Sequence, residues 1–309
     1  MTVADDLRPI LDLIQSTRSP IADTTPESLR ATYSALGLPG GVEMAVVEDR
    51  TIPGPDGGDL PVRVYRPLAD AERPPVVVYL HGGGWTIGDL DTHDEPCRAL
   101  AAGTGAVVAS VDYRLAPEHP FPAAVDDAYT AVCYVSEHAD DLGVDASRLV
   151  VAGDSAGGNL AAAVCLTARD RGGPTIAFQS LVYPATDLEP DRWPSMAANA
   201  DGPLLTRAAM DWFIGHYAGD PPPLGDALAA PIRADDLSGL PPAHVSTAGH
   251  DPLRDEGAAY AEALAAAGVP VAHDDFPTLI HGFVGFADVV PAAGEARDVI
   301  AAALREGLG

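Results

Sequence analysis

The 309-residue sequence predicts an α/β fold, with a mostly parallel central sheet of about eight strands and helices on both of its faces. Three observations carry that expectation. Short apolar runs alternate with helical patterns through most of the chain, as parallel strands joined by crossover helices do. Two glycine clusters, His81-Gly82-Gly83-Gly84-Trp85 and Gly153-Asp154-Ser155-Ala156-Gly157, each close a strand-like run, and sheets of this type carry their sites at the carboxyl ends of strands. Hydrophobic residues make up 47% of the chain, enough for a large core in one domain with insertions.

In order, the strand-like runs are Val42 to Val47, Leu60 to Tyr65, Val76 to Leu80, Ala106 to Val111, Leu149 to Ala152, Ile176 to Val182, Ala243 to Thr247 and Val269 to Ala272. Helical patterns fall at Pro96 to Ala102, Ala123 to His138, Ala156 to Arg169, Ala258 to Ala267 and Glu295 to Leu308. The first two or three strands have no helix between them, which starts the sheet antiparallel. Two regions break the alternation. Residues 1–40 read as two short helices, and residues 185–230 form an insertion with Trp193, Met196, Met210, Trp212, Phe213 and Tyr217 among turn residues. Both are expected to fold over the strand ends as a cap, leaving 41–184 and 231–309 as the α/β domain.

The formal charge is −27, and all 18 basic residues are arginine, with no lysine. Nucleic acid and anionic membranes are therefore poor partners, because phosphate neutralisation needs a basic face. The acids are scattered and form no tail, which suits a soluble or salt-adapted surface. The N-terminus places acids where a secretion signal would place bases, and no run reaches the ~18 apolar residues of a membrane span. A cytoplasmic protein is expected. Cys97, Cys133 and Cys165 are widely spaced and read as unpaired thiols.

Ser155 stands where a strand turns sharply into a helix. Glycines flank such a serine because the incoming strand and the outgoing helix approach too closely for side chains. The upstream glycine triplet exposes backbone N–H groups, which can hold the oxyanion of an acyl-transfer intermediate. A serine hydroxyl also needs a base, and the base needs an acid to fix its tautomer. Downstream, His281 lies in a loop after the last strand, while His273 ends the strand itself, so His281 is the expected base. Asp251 lies just beyond the strand Ala243 to Thr247 and is the expected acid. Asp255 and Glu256 compete, but they fall in the first turn of a helix, where acids suit the macrodipole. His250 is expected to point elsewhere, and Asp154 to support the turn by hydrogen bonding. The His93-Asp94-Glu95 and His273-Asp274-Asp275 clusters lack metal-ligand spacing, so no metal is expected.

At this point the chain resembles the hormone-sensitive-lipase-like esterases of the α/β-hydrolase superfamily, also called bacterial family IV. The matching stretches are His81 to Trp85, Asp112 to Pro122, Gly153 to Asn159, Asp251 to Glu256 and His281 to Phe283. The resemblance implies a Ser155, Asp251, His281 triad and an oxyanion hole from the N–H groups of Gly83, Gly84 and Ala156. It also implies that His81 organises the glycine loop, and that short-chain acyl esters are cleaved through an acyl-serine without a cofactor. Amide, carbamate or lactone hydrolysis would share this chemistry. A non-catalytic binding protein on the same scaffold is a further reading, opposed by competent residues at every triad position. Relatives often form homodimers, and the last strand offers an edge for pairing.

Overall fold

The computed structural model describes residues 2–17, 20–35, 41–69 and 71–309. The chain begins with α1 (Arg8–Thr17) and α2 (Pro26–Ser34), then a hairpin of β1 (Val46–Pro53) and β2 (Asp59–Arg66). Next come β3 (Pro75–Leu80), α3 (Asp94–Thr104), β4 (Val107–Val111), α4 (Ala123–Glu137), the single turn α5 (Ala139–Leu142), β5 (Asp145–Asp154) and α6 (Ala156–Arg171). After β6 (Phe178–Val182) the sheet is interrupted by α7 (Pro194–Ala198) and α8 (Arg207–Ala218). It resumes with β7 (Ala243–His250), α9 (Arg254–Ala266), β8 (Val271–Ile280) and α10 (Pro291–Leu308).

The eight strands form one sheet in the order β1-β2-β4-β3-β5-β6-β7-β8. β1 and β2 are antiparallel to their neighbours, and the remaining pairs are parallel. The alternation of side chains along β3 divides the core. Val76, Val78 and Leu80 face a cluster with residues of α4, α6 and α9, while Val77 and Tyr79 face a second cluster with residues of α1, α3 and α10. Helix α6 is buried from Ala156 to Ala168, and its run of small residues lets it lie close against the sheet.

The central strands fall close to their predicted positions, and the edges do not. The strand expected at Val42 to Val47 begins at Val46 and runs to Pro53, where Glu48, Asp49 and Arg50 give it little apolar character. An edge strand needs none, because only one of its sides pairs with the sheet. Likewise the run expected to end at Ala272 continues to Ile280 through Asp274, Asp275 and Pro277. Proline is tolerated there because β8 is an outer strand.

The 185–230 stretch is fastened to the start of α9. Buried Glu256 accepts the N–H groups of Thr186 (2.7 Å) and Asp187 (3.3 Å), and Asp255 accepts that of Ser195 (2.7 Å). Asp187, itself buried, receives Arg192 (2.9 Å) and Arg233 (3.1 Å). At the other end of the chain, Arg30 of α2 donates to the carbonyls of Thr86 and Ala116, both at 2.8 Å, and pairs with Glu118.

Candidate active site

Ser155 sits between the last residue of β5 and the first of α6, at φ 55° and ψ −117°. A positive φ is costly for a residue with a side chain, so neighbouring contacts must hold it. Its N–H donates to the Val182 carbonyl (2.9 Å), and its carbonyl accepts from Asn159 (3.1 Å) and Ala185 (3.2 Å). The flanking glycines are dictated by space. A Cβ on Gly157 would lie 1.9 Å from the Leu80 carbonyl oxygen, and one on Gly153 would lie 2.3 Å from that of Gly157.

Two loops bring an acid and a base to this serine. The β7–β8 ladder shifts register between Ala248 and His250, where a Cβ on Gly249 would meet the Pro277 carbonyl oxygen at 2.2 Å. Such an irregularity re-aims the chain leaving a strand. Asp251 follows, fully buried, with Oδ1 accepting the Leu253 N–H (2.8 Å) and Oδ2 lying 2.7 Å from His281 Nδ1. His281 follows directly on β8, and its Nε2 is 2.9 Å from Ser155 Oγ. With Nδ1–H donating to Asp251, Nε2 is left as the acceptor for the serine proton. The structure thus brings together the three residues expected to form the relay, all of them buried.

The glycine loop faces the same point. Gly83 and Gly84 have φ of 119° and 57°, and a Cβ on Gly84 would lie 2.3 Å from the Phe213 ring. Among the described residues, the N–H groups of Gly83, Gly84 and Ala156 donate to no protein acceptor. That of Ala156 opens the 16-residue helix α6, where the dipole favours negative charge. The Gly83 carbonyl accepts from Thr86 (3.1 Å) and Ile87 (3.0 Å), which curls the loop back on itself. Trp85 stacks on Tyr217 of α8 at 4.2 Å and donates to Asn159 of α6 (3.3 Å).

Asp154, expected to support its own turn by hydrogen bonding, instead reaches the neighbouring strand and the glycine loop with its carboxylate. Its Oδ1 accepts from Gly82 N–H (2.9 Å) and the Tyr79 hydroxyl (2.8 Å), and lies 3.5 Å from His93 Nε2. Burial pushes its pKa up, but His93, Tyr79 and His81 outweigh that and hold it below the usual carboxylate range. His81 is fully buried, stacked on Tyr113 at 4.2 Å, with Nδ1 2.8 Å from the Gly82 carbonyl and Nε2 without a partner among the described residues. Burial, helped by neighbouring His93, pushes its pKa down to about 4.

The competing residues are occupied elsewhere. Asp255 and Glu256 do stand in the first turn of α9, but their carboxylates hold the 185–230 stretch rather than serving the dipole alone. His273 lies inside β8, exposed, against Thr247 (3.0 Å). No group of three potential ligands able to hold a metal occurs among the described residues. His93 and Asp94 are buried. Sequence reading missed Phe213 against Gly84, Leu204 beside Gly282 and His93 beside Asp154. No local pattern marks these contacts, which join distant parts of the chain.

A family model for the α/β-hydrolase fold matches residues 77–285. Carboxylesterase NlhH of Mycobacterium tuberculosis is 49% identical over 98% of this chain and 97% of its own length. Ethyl acetate hydrolase of Pseudomonas putida is 36% identical over the whole of both chains. Among solved structures, the hyperthermophilic esterase of the archaeon Pyrobaculum calidifontis superposes with a TM-score of 0.93 at 43% identity, covering 99% of each chain. The motifs, the sheet and these full-length matches agree, and the chain belongs to the α/β-hydrolase fold family, within its hormone-sensitive-lipase-like carboxylic ester hydrolases.

Proposed function

We propose that the protein is a serine carboxylesterase for short- to medium-chain acyl esters, with Ser155 as nucleophile, His281 as base and Asp251 as the acid that orients it. The observation that carries this reading is the continuous relay from Asp251 Oδ2 to His281 Nδ1 (2.7 Å) and from His281 Nε2 to Ser155 Oγ (2.9 Å). His281 takes the serine proton as Oγ attacks the ester carbonyl, and Asp251 stabilises the imidazolium that forms. The N–H groups of Gly83, Gly84 and Ala156 receive the oxyanion. His281 then protonates the departing alcohol, and afterwards deprotonates the water that releases the acid from the acyl-serine.

Residues 1–40 and 185–230 act as the cap in this reading; residues 1, 18, 19 and 36–40 lie outside the described ones. Phe213 against Gly84 and Leu204 against Gly282 put apolar bulk over both sides of the site, which favours a short acyl chain. The name of the Pseudomonas relative, ethyl acetate hydrolase, points the same way. The test is hydrolysis of p-nitrophenyl esters of increasing acyl length by the wild type and Ser155→Ala. Ser155-dependent turnover that peaks at short chains is expected, and turnover that survives the substitution would remove the assignment.

A further inference from the structure

A carboxylate buried next to the nucleophile needs compensating donors and charge. Asp154 is 6% exposed, and no arginine pairs with it among the described residues. Its single ion-pair partner there is His93, at 3.5 Å. The contacts of both ring nitrogens of His93 point to donors on each side of the ring. Thr92 Oγ1 accepts the Asp89 N–H (2.9 Å) and gives its own proton to the Asp89 carbonyl (3.0 Å). With that proton given to the Asp89 carbonyl, Thr92 Oγ1 stands as an acceptor for Nδ1–H of His93, 3.1 Å away. On the other side of the ring, Nε2 faces a carboxylate oxygen at 3.5 Å, which favours a proton there too.

We propose that His93 is an imidazolium that positions the oxyanion loop, donating through Nδ1 to Thr92 and through Nε2 to Asp154. The proposal rests on the reading of Gly83 and Gly84 as oxyanion donors. One oxygen, Asp154 Oδ1, holds Gly82 on one strand end while its own residue precedes Ser155 on the next. The carboxylate therefore sets where the glycine loop lies relative to the nucleophile, and His93 keeps it ionised and in place. His93 touches neither substrate nor Ser155.

The other titratable groups around the pair supply no second cation. The phenols of Tyr33 on α2, Tyr79 on β3, Tyr113 and Tyr183 are pushed up by burial, as is the thiol of Cys97 on α3. His81, 5.3 Å away ring to ring, is pushed down to about 4 by burial. Asp89 is held below the usual range despite its burial, by Thr92 and Ser34, and adds negative charge near His81.

Nitrogen-resolved NMR of the wild-type enzyme reads the His93 ring directly. Kinetics of His93→Gln and His93→Phe, normalised to the serines titrated by a p-nitrophenyl phosphonate, read its effect on the site. We expect both ring nitrogens to carry protons. We also expect kcat per titrated site to fall about tenfold for Gln, which keeps one donor, and about 100-fold for Phe, with KM within about twofold. A bare ring nitrogen at the pH of the assay, an unchanged kcat for His93→Phe, or a loss fully explained by fewer titratable serines would each overturn the proposal. Absence of Ser155-dependent turnover in the wild type would instead overturn the hydrolase reading, and the ring protons are measured without turnover.

Discussion

Two buried aspartate–histidine pairs adjoin Ser155, one through the His281 contact and one through the preceding residue Asp154, and they differ in what the histidine can reach. In Asp251–His281 the oxygen–nitrogen distance is 2.7 Å, and the far ring nitrogen points at Ser155 Oγ. In Asp154–His93 the distance is 3.5 Å, and the far nitrogen is spent on Thr92. The first pair has a free proton path to the reacting atoms. The second has both histidine nitrogens engaged and, as proposed, acts through the backbone that Asp154 holds. On the proposed reading, the same two side chains serve proton transfer or positioning according to where the second ring nitrogen faces.

The largest expected effect belongs to Ser155, the proposed nucleophile. Ser155→Ala is expected to lower kcat by about 10⁴-fold or more while the thermal unfolding midpoint stays close to that of the wild type, as steady-state kinetics and calorimetry would show. The carboxylates test the comparison itself. Asp251→Asn removes the charge and the tautomer control of His281, and a loss of about 10³- to 10⁴-fold in kcat is expected. Asp154→Asn keeps an oxygen for Gly82 but loses the charge, and a smaller loss of about 10- to 100-fold is expected. Equal losses for the two would erase the distinction between proton transfer and positioning.

A smaller effect should appear in specificity. Phe213 is buried against the glycine loop, so Phe213→Ala is expected to raise kcat/KM on octanoyl relative to acetyl esters by about tenfold. An unchanged ratio would place the acyl pocket elsewhere.

A separate effect, read on folding rather than on turnover, is on acid stability. The folded-state pKa of His81 lies near 4, below its ordinary 6.5, so the unfolded chain binds this proton more readily. Its contribution is present above pH 6.5 and is lost as the pH falls toward 4, about 3 kcal/mol in all. Denaturant titrations across that window should show stability falling with pH, and His81→Asn should flatten the fall.

Much of the site is legible in the sequence because its demands are steric. A serine at positive φ between a strand and a tightly packed helix requires glycine at 153 and 157, and a loop pressed against Phe213 requires glycine at 84. Those needs leave local patterns. Asp251 and His281 are legible for a related reason, since each follows a parallel strand on the face where the serine stands. The edge strands are harder to read, because β1 and β8 need not be apolar and their charged stretches resemble loops. Glu256 looks like a helix-terminal acid, and only the fold brings Thr186 and Asp187 to it. His93 is invisible for the same reason, since its significance depends on Asp154 in a different strand.

The most direct test of the account labels the enzyme with a p-nitrophenyl phosphonate and maps the adduct by peptide mass spectrometry while hydrolysis is followed. The account predicts one adduct per chain, on Ser155, with activity lost in proportion. An inactivating adduct on another residue, or full labelling of Ser155 with hydrolysis intact, would contradict it.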